Sequence, residues 1–286
     1  TSFRDNLANQ NSKLIKSFFR LLFSKNDEYK NNFSYFGHTK INIFMKYLSL
    51  QLELRSRTNF INSNLEKNPN TDDNYLYFPL HMEPERSLLI AAPYFTNQLE
   101  FISHLAKSVP IEFKIFVKEH PSQLLREWRP ISYYKELLNI PNVVVIHPDF
   151  SNSDLIKNSK LVVTIGGSTG YEALMNKKPC ISFVDMEYSQ FSGILKLENL
   201  LDLPKLIKKS LSKDIEITDN KKIHDHYVDN TFIFDNFGMQ SLIDEKFFDK
   251  GTLRDVKINQ FEFNSFYESH SKIFSYLGDV FLKNME

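Results

Sequence analysis

Between residues 75 and 211, short apolar runs alternate with helical patterns, and this alternation limits the fold more than any other feature. The runs are 75–78, 113–117, 143–146, 161–165 and 180–184. All are rich in β-branched, aromatic or other apolar residues, which suits strands buried on both faces. Helical patterns follow them at 94–107, 132–138, 153–157, 169–176 and 203–211. Strands alternating with helices predict a parallel sheet covered on both sides, a Rossmann-like α/β domain. Ligands of such sheets gather at the carboxyl ends of the strands.

The chain around this domain reads differently. Residues 1–74 are expected to form a helical N-terminal segment, with helices near 3–24 and 38–57 and an Asn- and Asp-rich linker at 62–74. The domain itself is expected at 75–212, and a C-terminal helical extension at 213–286, with helices near 240–248 and 265–282. In a chain of 286 residues, 42% hydrophobic and 24% charged, this describes a globular protein with a sizeable core. No apolar run reaches the ~18 residues of a membrane span. The single cysteine, Cys180, excludes an internal disulfide and fits a reducing cytoplasm as a small buried residue. Net charge is zero, which gives no reason to expect nucleic acid. The first 64 residues carry ten Lys or Arg against four Asp or Glu. Within them, 13–23 reads as a basic amphipathic helix, suited to a partner domain or to an anionic membrane surface. No signal peptide is read at Thr1, and upstream sequence is expected to be missing.

The chemistry-bearing residues fall at the predicted strand ends. After the fourth run come Gly166, Gly167 and Gly170, three of eight glycines. A strand that turns through glycines into a helix aims backbone N–H groups and a helix dipole at one spot, a seat for phosphate. Ser168 and Thr169 add hydroxyls, and Glu172 is within reach of a ribose. The pattern is neither a P-loop nor a dinucleotide fingerprint, and a tight turn that only needs positive φ is the structural alternative. After the second run, Lys118 and His120 alternate to one side, with Glu119 opposite and Pro121 ending the ladder. A cation and an imidazole on one side suit a leaving phosphate; a solvated Lys118 and a carbonyl-capping His120 are the alternative. After the first run, His81, Glu83 and Glu85 share a side if the chain stays extended, although Pro84 favours a turn. A carboxylate there can act as general base, or cap the next helix. Arg126 and Arg129 stand where a guanidinium can grip a carboxylate or phosphate, or lie in solvent. After the fifth run, Asp185 and Tyr188 are candidate substrate contacts. His224 and His226 lack a third ligand, and no metal is expected. His120 and the turn 166–169 are expected to meet at one phosphate.

In this order, the motifs 77–85, 117–121, 164–173 and Lys178-Pro179 resemble the capsular polysaccharide biosynthesis family, over about half the chain. Its best-understood members are Kdo transferases. The resemblance implies a GT-B glycosyltransferase that moves a sugar from a nucleotide donor to a growing surface glycan at the cytoplasmic face of the membrane. It implies His120 on the donor phosphate, Gly167, Ser168 and Thr169 holding phosphate, and Glu172 near the ribose. The Kdo type places Gln and Asp where this chain has His81 and Glu85, with Glu85 keeping a carboxylate for the acid/base role beside His81 and His120. The co-substrate is expected to be CMP-, UDP- or GDP-linked, with no further cofactor, and the acceptor a glycan or glycolipid. A GT-B enzyme also needs an acceptor domain, for which 74 residues are too few. A teichoic-acid-type transferase and a non-catalytic nucleotide- or glycan-binding module are the competing readings.

Overall fold

A computed structural model describes residues 39–83, 87–120, 123, 129–212, 215–230, 234–248 and 258–283. Glu85, Arg126, Pro121, the helix expected near 3–24 and its basic stretch 13–23 lie outside the described residues. The chain divides into two compact units, one holding Leu50–His226 and the other including 39–49 and the residues after His226. The limits fall within two helices, Lys40–Asn64 (α1) and Asn220–Asn230 (α7), whereas 74 and 212 lie close to the limits of the sheet and its helices.

The first unit is built on six parallel strands in the order β3-β2-β1-β4-β5-β6. They are β1 Tyr75–Pro79, β2 Lys114–Lys118, β3 Val143–Ile146, β4 Leu161–Thr164, β5 Cys180–Ser182 and β6 Ile194–Lys196. The helices between them are α2 Gln98–Ser108, α3 Ile131–Leu138, α4 Asn152–Asn158, α5 Thr169–Met175 and α6 Leu203–Ser210. This is the expected α/β sheet, with two corrections at its far edge. The fifth run forms a strand only to Ser182. A sixth strand, 194–196, was not foreseen, because three residues ending in a lysine carry no apolar run.

Alternation along β1 packs both faces of the sheet. Tyr75 and Tyr77 look one way, where Tyr75 stacks on Phe116 at 4.0 Å and Leu155, Ile156 and Ala173 close the core. Phe78 looks the other way, 5.4 Å from Phe101 of α2, which in turn meets Phe183 edge-on at 4.5 Å. Cys180 lies in the first of these cores, fully buried, and burial pushes its thiol up.

The sheet changes direction at β1, as its strand order shows. Connections from β1 run to β2 and β3, while β4 runs on to β5 and β6, which makes the gap between β1 and β4 the topological switch point. The two neighbours hold β1 unequally. Its register with β2 covers five residue pairs, but with β4 only Leu76↔Leu161 and Tyr77↔Val162. The cause is in the sequence. Tyr75 O accepts from Lys160 N–H, and Leu80 N–H donates to Lys118 O, so odd residues of β1 bond toward β4 and even ones toward β2. Pro79 is odd, and it has no N–H to give. The ladder stops there, and the strand ends part.

In the second unit, α8 Asn236–Phe247, α9 Gln260–Ser269 and α10 Ser271–Lys283 are helical as expected, with a break at His270. Phe247 packs edge-on to Phe266 at 5.2 Å. Among the described residues, no helix is long and apolar enough to cross a membrane.

Candidate functional site

The turn after β4 is shaped by three glycines for three reasons. Gly167 has φ +83°, a conformation that costs a side-chain-bearing residue about 1–2 kcal/mol. A Cβ on Gly166 would stand 2.7 Å from Val184, and one on Gly170 would stand 2.4 Å from the Tyr188 ring. The hydroxyl of Tyr188 donates to Gly167 O at 2.6 Å, and that of Thr164 donates to Gly166 O at 2.7 Å. Tyr188 is therefore buried against the turn and braces it, in place of the substrate contact expected of it. Ser168 is exposed at the start of α5 and donates to Glu172 Oε1 at 3.2 Å, which draws that carboxylate back toward the turn.

His81 stands in the parting between β1 and β4. Its Nε2 lies 3.2 Å from Ile165 N and 3.1 Å from Thr164 Oγ1, whose own proton goes to Gly166 O. Nε2 is thus the acceptor, and the proton sits on Nδ1. That nitrogen is 4.0 Å from the place a Cβ on Gly167 would take, so the imidazole lies against the glycine turn. Burial, then His120 and Arg129, push its pKa down to about 4. At neutral pH His81 is uncharged, with its proton on Nδ1.

On the other side of β1, the turn after β2 sends its residues to opposite surroundings, as alternation predicts. Lys118 is 3% exposed, so it is not solvated. Its ammonium donates to Asn152 Oδ1 at 2.7 Å, and Tyr77 donates to the same oxygen at 2.9 Å. Burial pushes Lys118 down to about 8, against the opposing pull of Asp149 and Glu172. His120 is exposed. Glu119 turns inward to a buried ion pair, in which Arg129 Nη1 meets both carboxylate oxygens at 2.5 and 2.6 Å and Tyr134 donates at 2.7 Å. Arg129 also donates to His81 O and lies 3.3 Å from Glu83 Oε1. With a side chain 3% exposed, it holds protein groups together and is not the open substrate contact expected.

Two glutamines that the sequence did not single out complete the frame. Gln98 accepts from His81 N–H at 2.8 Å and donates to His81 O at 3.0 Å. Gln123 does the same for Glu83, at 2.7 and 2.8 Å. Each amide pairs with the backbone of its partner residue as a neighbouring strand would. The Glu83 carboxylate accepts from Gln98 as well as lying near Arg129. Asp185, at the end of β5, is exposed and pairs with Lys196 at 2.5 Å. His226 packs edge-on to Phe191 at 5.3 Å, with Nε2 3.0 Å from the Gln190 amide.

Because all six strands are parallel, the turns after β2, β1 and β4 lie side by side along one edge. His81 is the middle piece. Lys118, His120, His81 and the glycine turn thus end up along one edge of the sheet, where the charge of His120 bears on His81 and that of Glu172 on Lys118.

A family model described as capsule polysaccharide biosynthesis protein matches residues 3–202. No curated protein matches the chain. Among solved structures, the UDP-GlcNAc 2-epimerase of Methanocaldococcus jannaschii is 19% identical with a TM-score of 0.40, covering 62% of this chain and 49% of that one. The Thermosulfurimonas dismutans KpsC, beta Kdo 2,7 transferase, is 20% identical with a TM-score of 0.37, covering 59% and 53%. The UDP-GlcNAc 2-epimerase of Neisseria meningitidis, bound to UDP-GlcNAc, is 15% identical with a TM-score of 0.37, covering 65% and 51%. The chain spans about half the length of these structures. Likeness at this level says nothing of its own substrate.

Proposed function

Since the chain belongs to the capsule polysaccharide biosynthesis family, we propose that it acts there as a glycosyltransferase. It takes a nucleotide sugar, CMP-, UDP- or GDP-linked, and passes the sugar to a glycan or glycolipid acceptor. The observation that carries this reading is the line of phosphate-suited donors along one sheet edge. His81 sits between the exposed His120 and the turn 166–169, at the switch point where α/β sheets bind ligands.

In the proposed step the acceptor oxygen attacks the anomeric carbon, and the bond from that carbon to the phosphate oxygen breaks. The nucleotide leaves with the electron pair. Charge growing on its phosphate is met by Lys118, by His120 and by the Nδ1–H of His81. The ribose hydroxyls face Glu172. The acceptor proton goes to a carboxylate, for which Glu85 is the candidate. No cofactor beyond the donor is required, and the basic segment within 1–64 is proposed to bring the enzyme to an inner membrane face.

A binding module without turnover is the second reading. The attachment of Glu83 to Gln98 and Arg129 favours it, since that carboxylate is held by protein donors. A thermal-shift series with CMP, CDP, UDP and GDP tests the binding. A ligand at one hundred times its dissociation constant stabilises the fold by about 2.7 kcal/mol. Stabilisation by one nucleotide, lost in Lys118→Met, supports the site, and no shift with any nucleotide overturns it. Release of nucleotide from a donor sugar in the presence of acceptor then separates enzyme from module.

A further inference from the structure

The side chain of Arg129 makes almost no contact with solvent, and besides lying over the Tyr133 ring of α3 it holds His81, Glu83 and Glu119, which belong to turns at the site. We infer that Arg129 is a positioning residue, a buried strut that fixes His81 and the turn 118–120 at one separation across the ends of β1 and β2. The inference rests on the reading that these two turns face one phosphate.

The connection can be followed atom by atom. Arg129 Nη2 donates to His81 O at 2.5 Å, and Nη1 reaches the two oxygens of Glu119 at 2.5 and 2.6 Å. Glu119 Oε1 then accepts the backbone N–H of His120 at 2.7 Å. One guanidinium and one carboxylate thus join the backbone of His81 to the backbone of His120. Glu83, two residues after His81, lies 3.3 Å from the same guanidinium. The arrangement gives little in stability, because a buried ion pair loses in desolvation much of what it gains by attraction, and an apolar pair of equal volume serves as well. A planar fork adds geometry instead. It fixes two partners in one plane at set distances, which an ammonium on a flexible stem does not. Sites of this kind lose about a hundredfold in rate for a displacement of 1 Å.

The test uses the full chain with Glu119→Gln and Arg129→Met together, so that no lone charge is left buried. Circular dichroism establishes folding, and CMP, UDP and GDP serve as probes of affinity. The titration of His81 is followed by NMR, the charged or titratable groups bearing on its ring being His120 and Arg129. The double variant is expected to fold, to bind nucleotide at least tenfold more weakly, and to show a raised His81 midpoint. A folded double variant with parental affinity overturns the strut. If that variant does not fold, Arg129→Lys replaces it, and the same tenfold loss or parental affinity decides. If the parent itself binds none of the nucleotides, the functional reading fails, and the His81 midpoint in Arg129→Lys, which keeps the positive charge, decides. A displaced midpoint then supports the strut, and an unmoved midpoint overturns it.

Discussion

The hydroxyl of Tyr188 donates a 2.6 Å hydrogen bond to the carbonyl of Gly167, so the loop after β5 braces the turn after β4. The same ring occupies the place of a Cβ on Gly170. Three outcomes follow. Tyr188→Phe removes one hydrogen bond and lowers unfolding free energy by about 1 kcal/mol. Gly170→Ala forces the ring aside and costs about 1–3 kcal/mol. Placed on Tyr188→Ala, which empties the space, Gly170→Ala becomes nearly neutral. Urea denaturation of the four proteins measures the coupling, and simple additivity would show that ring and glycine are independent.

Gly167 is constrained by its backbone and not by crowding, since a Cβ there would meet only His81 at 3.7 Å. Gly167→Ala should therefore cost about 1–2 kcal/mol through its positive φ alone. Gly167→Val should also abolish nucleotide binding by filling the crevice. Parental nucleotide affinity in a folded Gly167→Val protein would make the turn purely structural.

Stability should fall as the solution is acidified from pH 6.5 to about 4. Burial lowers the pKa of His81 from 6.5 to about 4, so in this window the unfolded chain takes up a proton that the native state refuses. The loss attributable to His81 is at most about 3 kcal/mol. His147 is also buried and lowered, and it adds a slope of the same sign. Comparing denaturation of the parent with that of His81→Gln across this range isolates the His81 share. Parallel curves would mean that its ring titrates normally.

Lys118→Met should raise stability at pH 7 by about 1–3 kcal/mol while removing nucleotide binding. A buried ammonium is costly to hold, and its pKa is pushed down from 10.5 to about 8. Between those values the unfolded lysine stays charged while the native one is neutral, so the parent gains stability as pH rises through the window. The methionine variant should show no such gain. A variant that is less stable than the parent at pH 7 would show that the ammonium contributes more through Asn152 than burial costs.

Much of this arrangement was legible before the structure, and what was missed has a common cause. Strand positions showed in the apolar runs, and a parallel sheet necessarily puts residues that end different strands on one edge. That is why Lys118, His120, His81 and the glycine turn could be grouped from sequence. The opposed directions of Lys118 and Glu119 followed from alternation. Gln98 and Gln123 gave no such signal. They bond to residues 17 and 40 positions away, and a buried amide looks like a surface one until the loop passing over it is known. Arg129 was misjudged for the same reason. Its partner Glu119 reads from alternation as lying opposite Lys118, but nothing in the spacing shows that 129 returns to it. Tyr188 follows the fifth run, where ligands of such sheets gather, but nothing in the spacing shows that its ring turns onto the glycine turn. The smallness of Gly170 was the clue that a ring lay over it.

Proline is rare inside a parallel sheet, and Pro79 lies next to its centre. By withholding one donor it works like a stop on a zipper: β1 and β4 are fastened below it and fall open above it. The imidazole of His81 takes the amide of Ile165 that the opened seam would otherwise leave bare. A residue with an N–H at 79 would let the seam close further and give a longer, firmer sheet with a narrower mouth. The gap in which a nucleotide is proposed to lie is thus written into the backbone by one missing hydrogen, before any side chain is placed around it.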